Sequence, residues 1–283
     1  MNKLHLIFFL LLNLLVNAQN HRFIYEYKFV PDSTKADSVL TENMRLTIFK
    51  NHSEFLSEMK AKRDSAIQKS SQKGNGQIGT HLLPGNIGST VWKNKNDLGN
   101  FSTEYIGIES YKVMEENILN WRLTNETQKI QNYNCQKAVL KFGGREWTAW
   151  FTPDLPFQDG PNLFRKLPGL IVSIEDSKKH HSFRLIANYK TKDTPTNIEQ
   201  KLKILRTYEV TRKQFNKKWN EFRKSPIRMN EQYSLMTPSA FGFKIYDANG
   251  KQLDLNEYRK TEREKTKKKL AKNNNFLDLE LYK

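Results

Sequence analysis

The chain has 283 residues, of which 37% are hydrophobic and 12% aromatic, a content that supports a packed core and excludes a wholly disordered polymer. Its formal net charge is +17 at pH 7, and its single cysteine excludes a framework of intramolecular disulfides. The sequence also lacks the Gly-x-Ser-x-Gly, His-Glu-x-x-His and phosphate-loop motifs, which excludes the standard hydrolase, metalloprotease and nucleotide-binding templates.

Residues 1–18 are predicted to be a cleaved secretory signal peptide. The cationic Lys3 precedes a short apolar run that ends at Val16, whereas a bilayer span needs roughly 20 apolar residues. Small residues before the cleavage point indicate processing after Ala18, so that the mature chain begins at Gln19. The alternative is an uncleaved N-terminal anchor or a buried helix. No cysteine directly follows the apolar run to carry a lipid anchor, and no second apolar segment of membrane length occurs downstream. We therefore expect export to the periplasm or cell envelope, or secretion.

Two antiparallel strands and one helix are predicted at the start of the mature chain. Residues 22–29 and 44–48 show the period-two alternation of strands, and the turn-forming residues 31–36 lie between them. Ser53 is a candidate helix cap, and apolar residues on one face predict an amphipathic helix over 53–69. The apolar positions of this helix are Phe55, Leu56, Met59, Ala66 and Ile67.

From Val91 to Tyr189, short strands follow one another closely with almost no predicted helix between them. Parallel pairing needs crossovers of about a dozen residues or more, so this spacing favours an antiparallel meander. The predicted strands include Tyr105–Ile108, Leu119–Leu123, Ala138–Leu140, Trp147–Phe151, Leu170–Ile174 and Phe183–Ala187, with a hairpin turn at Asp176–His180.

After residue 198 the sequence becomes more basic and more helical. Residues 201–205 are compatible with a strand, whereas Thr211–Lys224 has aromatic residues at the spacing of an amphipathic helix. A strand pair is predicted over 240–253, around an Asn-Gly turn. The charged run over 256–272 predicts a last helix.

The predicted fold class is α+β: a predominantly antiparallel, curved β-sheet (meander) with one or two packed helices and a basic helical C-terminal appendage. The predicted domains are the signal peptide 1–18, a β-rich core 19–198 and a basic helical and strand extension 199–283. Cys135 opens a predicted strand. Because free cysteines are among the most buried residues, we expect a buried thiol rather than a reactive one.

The densest unusual chemistry lies between Gly143 and Ile174. This stretch resembles the signature of the GLPGLI (Porph_ging) family of exported Bacteroidetes proteins, in which a Trp/Phe-Thr strand, a Pro-rich turn, a Gly-Pro pair and a Gly-Leu-Pro-Gly-Leu-Ile run follow one another. The corresponding residues here are Trp147–Thr152, Pro153–Pro156, Gly160-Pro161 and Leu167–Ile171. Lys166 stands where the first Gly of the name motif belongs. The resemblance implies a similar fold over most of the mature chain and no established activity.

One functional hypothesis places a ligand- or partner-binding groove at this motif. Its aromatic residues would line the groove, and residues 156–167 would shape the mouth. The candidate binding residues are Trp147, Trp150, Asp154, Phe157, Asp159, Phe164, Pro168 and Gly169. The structural alternative is favoured, because aromatic residues on strands usually pack in a core and Pro168-Gly169 is a type II turn combination.

A second hypothesis is a hydrolase or metal-dependent enzyme that uses acidic turn residues between Asp154 and Asp176. Paired carboxylates can act as general acid and base or bind a hard cation. These carboxylates lack a fixed ligand spacing; they are Asp154, Asp159, Glu175 and Asp176. His180 and His181 would point to opposite faces of a strand, which disfavours joint metal binding. We therefore predict no metal site and no cofactor, and the sequence leaves any catalytic residue unassigned.

The positive charge is concentrated in two late runs. Lys201–Lys224 carries nine Lys and Arg against two Glu, and Arg259–Lys272 carries eight against two. An exported protein is not expected to bind nucleic acid, whereas lipopolysaccharide phosphates, acidic polysaccharides or phospholipid head groups fit this charge. The alternative is that both runs are simply solvated helix faces. The sequence thus predicts an exported periplasmic or cell-envelope protein. It favours a non-enzymatic ligand- or partner-binding module over an enzyme.

Overall fold

A computed structural model describes residues 20–72, 85–96, 98–107, 109–116, 118–204, 206–226, 250 and 254–283. The strands in these ranges are β1 (Asn20–Phe29), β2 (Leu40–Ile48), β3 (His52–Ser57), β4 (Thr90–Asn94), β5 (Phe101–Ile106), β6 (Glu109–Met114), β7 (Arg122–Ile130), β8 (Tyr133–Phe142), β9 (Arg145–Thr152), β10 (Leu170–Asp176), β11 (His181–Thr191) and β12 (Tyr208–Thr211). The helices are α1 (Glu58–Gln72), α2 (Ile198–Ile204), α3 (Arg212–Lys224) and α4 (Leu255–Ala271). Within the described ranges, no helix has the length and apolar character needed to cross a membrane.

These strands form one sheet in the order β12-β6-β5-β4-β3-β2-β1-β11-β10-β9-β8-β7. β1 to β6 make one antiparallel meander and β7 to β11 make a second, and the two meet where β1 pairs antiparallel with β11. β12 is parallel to β6, and the long connection between them supplies the crossover that parallel pairing requires. The structure therefore confirms a large, predominantly antiparallel sheet with few helices.

Aromatic residues of β1 form the centre of the core. Tyr25 and Tyr27 are buried, and the Tyr27 ring stacks on Phe183 of β11 with ring centroids 4.2 Å apart. The Tyr25 hydroxyl donates a hydrogen bond of 2.8 Å to the Ile171 carbonyl of β10. Since full burial of a large apolar side chain contributes roughly 1.5–3 kcal/mol, this strand holds the two meanders together.

The helix predicted over 53–69 begins later than expected. Residues His52–Ser57 instead form β3, in which all six residues are buried because the strand lies between β2 and β4. Phe55 consequently packs in the sheet core and not on a helix face. Ser57, rather than Ser53, caps α1: its hydroxyl oxygen accepts hydrogen bonds from two backbone N–H groups of the first turn, at 3.1 and 3.2 Å.

The later predictions have different outcomes. The helix predicted over 211–224 is confirmed as α3, where Thr211 forms a capping box with Gln214, and the helix predicted over 256–272 is confirmed as α4. The strand predicted over 201–205 is wrong, because residues up to 204 belong to α2. Apart from Gly250, the strand pair predicted over 240–253 lies outside the described residues, as does the predicted signal peptide.

The residues after α4 pack against the sheet. Arg145 at the start of β9 is buried, and its Nη2 atom donates hydrogen bonds of 2.7 Å to the Asn275 side chain and to the Phe276 carbonyl. The backbone N–H of Leu279 donates to the Gly143 carbonyl in the β8–β9 turn at 2.9 Å. These bonds attach the last residues of the predicted C-terminal extension to the core.

A second, smaller core holds the other side of this tail. Its members come from β5, β6, β12, α3 and the C-terminus; the buried ones are Ile106, Tyr111, Val113, Val210, Phe215, Trp219 and Leu281. Tyr282 packs edge-on against Trp219 with ring centroids 5.1 Å apart, and the Trp219 indole N–H donates to the Tyr282 carbonyl at 3.0 Å. The tail therefore links the β8–β9 turn to the opposite end of the sheet.

The sheet is bent around the connection between β9 and β10, residues 153–169. β4 and β7 are eight places apart in the strand order, so a flat sheet would separate them by roughly 38 Å at about 4.8 Å per strand. Yet Arg165 contacts both regions: its Nη1 donates to the Asn94 carbonyl at the end of β4, and its carbonyl accepts from the Trp121 indole just before β7, each at 2.8 Å. The β9–β10 connection thus lies on the concave side of the sheet.

Candidate ligand-binding cleft

The β9–β10 connection returns the chain to the sheet through a glycine. Gly169 has φ +150°, and a Cβ atom placed there would lie 2.0 Å from the Thr152 carbonyl oxygen, a distance that no side chain can occupy. Gly160 is similarly close to its neighbours, with a Cβ position 2.7 Å from the Ile171 side chain and 2.9 Å from the Phe164 carbonyl. These two close approaches fix the path of the connection.

Two of the predicted groove residues are buried beneath the connection. The rings of Trp147 and Phe164 lie 4.7 Å apart, with Phe142 at 5.6 Å from Phe164. The Trp147 indole donates a hydrogen bond of 3.1 Å to the Phe142 carbonyl. Trp147 and Phe164 therefore act as core residues that support the connection from below.

The other predicted aromatic residues lie elsewhere. Trp150 is three residues from Trp147, so it projects from the opposite face of β9 and is partly buried. Phe157 packs against His21 and Phe23 of β1, with ring centroids 4.7 and 5.3 Å apart. Pro168 is exposed. The structure thus does not bring the four aromatic rings onto one surface, and a binding role for Trp150 and Phe157 stays a prediction.

The predicted carboxylates are also dispersed. Asp159 is paired with Lys93, and Asp176 is paired with Arg145 at 2.9 Å. Asp154 is exposed and accepts a hydrogen bond from the Asn134 backbone N–H, while Glu175 lies at the end of β10. Among the described residues, no group of three or more His, Cys, Asp or Glu side chains is placed to hold a metal ion.

The two adjacent histidines have separate surroundings. His181 is buried, its Nδ1 atom lies 2.7 Å from the Tyr27 hydroxyl, and burial lowers its pKa to about 3. His180 contacts the Asn275 side chain. Cys135 is buried as predicted, and burial raises the pKa of its thiol to about 11, which keeps the sulfur protonated and unreactive at neutral pH.

A cleft of about 230 Å³ opens between the β9–β10 connection and the ends of β4 and β6. The charged residues that line it are Lys93, Glu115, Glu116, Arg165 and Lys166. Its apolar lining consists of Ile118, Leu119, Phe142 and Leu163. The cleft therefore combines a small apolar surface with a larger number of charged groups.

Lys93 lies at the base of this cleft with its side chain fully buried. Its Nζ atom is 2.5 Å from Asp159 and donates a hydrogen bond of 2.6 Å to the Gly160 carbonyl. Burial lowers the pKa of Lys93, and the negative charge of Asp159 opposes that shift. The ion pair thereby joins β4 to the connection and positions the cleft wall.

Lys166 lines the same cleft in an unusual backbone conformation. Its φ is +74°, in the left-handed region that glycine occupies without strain and that other residues rarely adopt. This is the position where the sequence motif calls for glycine, so the backbone retains the glycine-like conformation although the residue is lysine. The lysine side chain consequently adds a cation to the cleft.

Glu115, in the cleft wall directly after β6, links the cleft to the C-terminal tail. Arg212 of α3 donates to Glu115 at 2.7 Å and is also paired with Asp278. Burial raises the pKa of Glu115 to about 7, and the positive charge of Arg212 opposes the shift. The charge of this wall therefore changes near neutral pH.

The sequence pattern pointed to Asp159 and to the 156–167 connection but not to Lys93 or Glu115. Lys93 lies inside β4 and Glu115 directly follows β6. Neither belongs to a motif, and only the bending of the sheet brings them to the connection. The one local signal was the lysine of Val91-Trp92-Lys93, a cation inside a buried strand segment.

Comparison with known proteins agrees with the sequence resemblance. The family model described as "Protein of unknown function (Porph_ging)" matches residues 143–173, from the β8–β9 turn into β10, which confirms the predicted resemblance in that segment. No curated protein matches the chain. Two crystal structures of PNGF-II are similar, with TM-scores of 0.46 and 0.45 and 16% sequence identity. The similarity covers 69% of this chain but 32% and 31% of those chains, so the chain spans about a third of their length.

Proposed function

We propose that this chain is an exported protein of the bacterial periplasm or cell envelope that binds a small ligand in the cleft without transforming it. The signal-peptide pattern of residues 1–18 supports export. The cleft between the family-matched segment and the ends of β4 and β6 supports binding. That cleft, with buried Lys93 at its base, is the observation that carries the proposal.

Binding fits the charged residues better than catalysis does. Both buried carboxylates predicted for an enzyme already have a cationic partner, Lys93 for Asp159 and Arg145 for Asp176. A carboxylate held in such a pair stabilises the fold and is poorly placed to accept a substrate proton. The remaining acidic candidates are Asp154, which is exposed, and Glu175 near the end of β10. We expect Asp154→Ala to leave any turnover by the purified protein unchanged.

Export is tested on the full-length chain expressed in a Gram-negative host. We expect the envelope fraction to contain a protein whose intact mass is that of a chain beginning at Gln19. Ala18→Arg is the control, because a large cation at the cleavage position should leave the uncleaved precursor. A cytoplasmic protein that retains Met1 would contradict this part of the proposal.

Ligand binding is tested by screening small molecules against the mature protein and recovering each bound compound for mass analysis. Leu163→Trp places a larger ring in the cleft and should abolish binding, while Ile186→Trp, at an exposed position of β11, should not. Recovery of a chemically altered compound would establish an enzyme instead. Binding that survives Leu163→Trp would place the site elsewhere.

The basic surface of α3 supports a further partner for the same envelope protein. Phe215 and Trp219 face the second core, and the exposed side carries cations that include Lys213, Lys217 and Lys218. We propose that this face contacts anionic envelope components. Vesicles with and without phosphatidylglycerol test the proposal, since attraction should be lost as salt rises from about 0.05 to 0.5 M.

A further inference from the structure

The C-terminal tail, residues 272–283, is held through its backbone in the way that a bound peptide is held. Side chains of the surrounding elements donate hydrogen bonds to its carbonyl groups, from Arg145 to Phe276 at 2.7 Å and from Trp219 to Tyr282 at 3.0 Å. Main-chain bonds of this kind give affinity for a peptide irrespective of its sequence. We call the surface that holds the tail the tail groove; it is formed by Arg145, Arg212, Asn216, Trp219 and the β8–β9 turn.

The tail groove also recognises side chains of the tail. Every third residue from Asn275 to Leu281 is buried, with Asp278 between them. The Asn275 side chain accepts a hydrogen bond of 2.7 Å from Arg145, and Asp278 is paired with Arg212. Side chains that enter specific positions give specificity, so the tail groove is suited to this peptide sequence.

The two cations of the tail groove have carboxylate partners outside the tail. Arg145 is paired with Asp176 at 2.9 Å, and Arg212 is paired with Glu115 at 2.7 Å. A buried charge that loses its partner is strongly destabilising. Because departure of the tail leaves both cations paired, it leaves the charges of the groove compensated, as a preformed binding site requires.

The tail follows a helix that is largely exposed. The described side chains of α4 are exposed apart from Thr266 and Leu270. The helix has 17 residues and therefore spans about 25 Å. A segment at the end of such a connection can exchange between identical copies at low cost, because each copy offers the same contacts.

We infer that the tail groove binds the C-terminal tail of a second copy of this chain in exchange for its own. In the exchanged form, Asp278 of one copy pairs with Arg212 of the other. Since Arg212 also pairs with Glu115, the second copy then completes the ionic cluster beside the cleft. This interaction between copies is separate from the proposed binding of a small ligand.

A disulfide across the tail groove first tests where the tail lies. The Cβ position of Gly144 is 3.3 Å from the Cβ atom of Leu279, close to the separation of about 3.5–4.5 Å in disulfides. The double variant Gly144→Cys/Leu279→Cys of the mature protein should therefore form an internal disulfide after a brief pulse of diamide. A double variant that keeps both thiols would overturn the inference, since the tail would not occupy the groove.

Exchange is measured by mixing chains that carry Gly144→Cys alone with chains that carry Leu279→Cys alone. After the mixture has reached equilibrium, diamide traps each tail in the groove that it occupies, and intact mass distinguishes the mixed dimer from the homodimers. A tethered segment competes at an effective concentration of about 1 mM, so about half of the chains should be trapped in mixed dimers at about 1 mM protein. The yield should fall about a hundredfold at about 10 μM.

Ile186→Cys replaces Leu279→Cys in the control mixture. Ile186 is exposed on β11 and lies outside the tail groove, so this mixture measures disulfides formed by random collision. Its mixed dimer should be at least about tenfold less abundant at about 1 mM protein.

Asp278→Asn should have opposite effects in the two chains, because it removes the charge that pairs with Arg212. In the Leu279→Cys chain it weakens the incoming tail and should lower the yield of mixed dimer by about tenfold at about 10 μM protein. In the Gly144→Cys chain it weakens the resident tail and should raise the yield by a similar factor. General damage to the fold would not change sign between the two chains.

Two results would show that the tail stays in its own chain. One is a mixed dimer no more abundant than in the Ile186→Cys control, although the double variant closes its internal disulfide. The other is a change of the same sign when Asp278→Asn is placed in either chain. Neither result bears on the small-molecule screen, which decides the function of the cleft.

Discussion

Among the residues of the β9–β10 connection that have positive φ, Gly169 and Lys166 have it for different physical reasons. At Gly169 a side chain is sterically impossible, because its Cβ would lie 2.0 Å from a backbone oxygen that the β9–β10 pairing holds in place. At Lys166 a side chain is present and the conformation is only strained. The first position defines the fold, and the second leaves room for variation in the cleft.

Gly169→Ala is therefore expected to destabilise the protein by about 3 kcal/mol or more, measured by urea unfolding. Gly250→Ala is the matched control: Gly250 also has a positive φ, +77°, but nothing lies within 4 Å of its Cβ position. The control should lose only about 1 kcal/mol, the cost of the backbone conformation alone. Equal losses would show that the contact with Thr152 is relieved by local movement.

The buried pair Lys93–Asp159 makes a second prediction at this scale. Lys93→Met leaves Asp159 buried without its cation and should lower the free energy of unfolding by about 3 kcal/mol. Adding Asp159→Asn removes the orphaned charge and should recover part of the loss. Lys141→Met breaks the exposed pair of Lys141 and Glu146, and should change stability by less than about 0.5 kcal/mol. A double variant less stable than the single one would contradict this account.

At the scale of elements, the sequence predicted correctly those strands and helices that are determined by neighbouring residues. The alternation of β1 and β2 and the capping residue of α3 were readable, because side-chain period and caps act within a few residues. β3 was missed because it is covered on both faces, which removes the alternation that marks a strand. The helix α1 consequently begins only at Glu58, after its cap Ser57.

The cap of α3 provides a prediction for an element. The Thr211 side chain accepts a hydrogen bond from the Gln214 backbone N–H, and the Gln214 side chain accepts one from the Thr211 backbone. Thr211→Ala should lower the free energy of unfolding by about 1 kcal/mol, whereas Thr211→Ser keeps the hydroxyl and most of the stability. Thermal unfolding followed by circular dichroism measures both. Loss of equal size in the two variants would show that the methyl group, not the hydroxyl, stabilises this position.

The candidate site was only partly predictable from sequence. The motif pointed to the connection and to Asp159, because Pro and Gly restrict the backbone in a recognisable order. It could not point to Lys93, since that lysine meets Asp159 only when β4 is brought across the bent sheet. Nor could it separate the buried Trp147 from a groove residue, because both would show the same strand pattern.

At the scale of the whole molecule, an ionic cluster connects the cleft wall to the C-terminal tail. Arg212 is paired with Glu115 and Asp278, and Glu104 of β5 accepts a hydrogen bond of 2.7 Å from the Tyr282 hydroxyl. Burial raises the pKa of Glu104 and of Glu115 to about 7, against about 4.5 for an unfolded chain. Attachment of the tail therefore depends on pH.

A carboxyl group whose pKa is raised by folding stabilises the protein while it is protonated. The contribution of Glu104 is thus fully present below about pH 4.5 and is lost as pH rises through about 7. Glu104→Gln keeps an oxygen for the Tyr282 hydroxyl but cannot ionise. It should match the parent at pH 4.5 and be more stable by about 1–2 kcal/mol at pH 8, measured by urea unfolding at both values.

Glu146→Gln serves as the control for this pH dependence, because Glu146 is exposed on β9 away from the cluster. Its free energy of unfolding should equal that of the parent at both pH values. If the free energy of unfolding of Glu104→Gln differs from that of the parent by the same amount at pH 4.5 and pH 8, the cluster is already solvated in the folded protein.

The central position of β1 also has a consequence for how the chain folds. Tyr27 of β1 meets His181 of β11, 154 positions away, and the Val30 carbonyl accepts a hydrogen bond from Asn275, 245 positions away. Contacts of such long sequence separation must overcome a large loop-closure entropy and form slowly. The sheet cannot be completed until β12 has been synthesised, and the contact of Asn275 with β1 forms later still. An exported chain with this property would remain an open polymer long enough to be threaded through a membrane, and would acquire its structure on the far side.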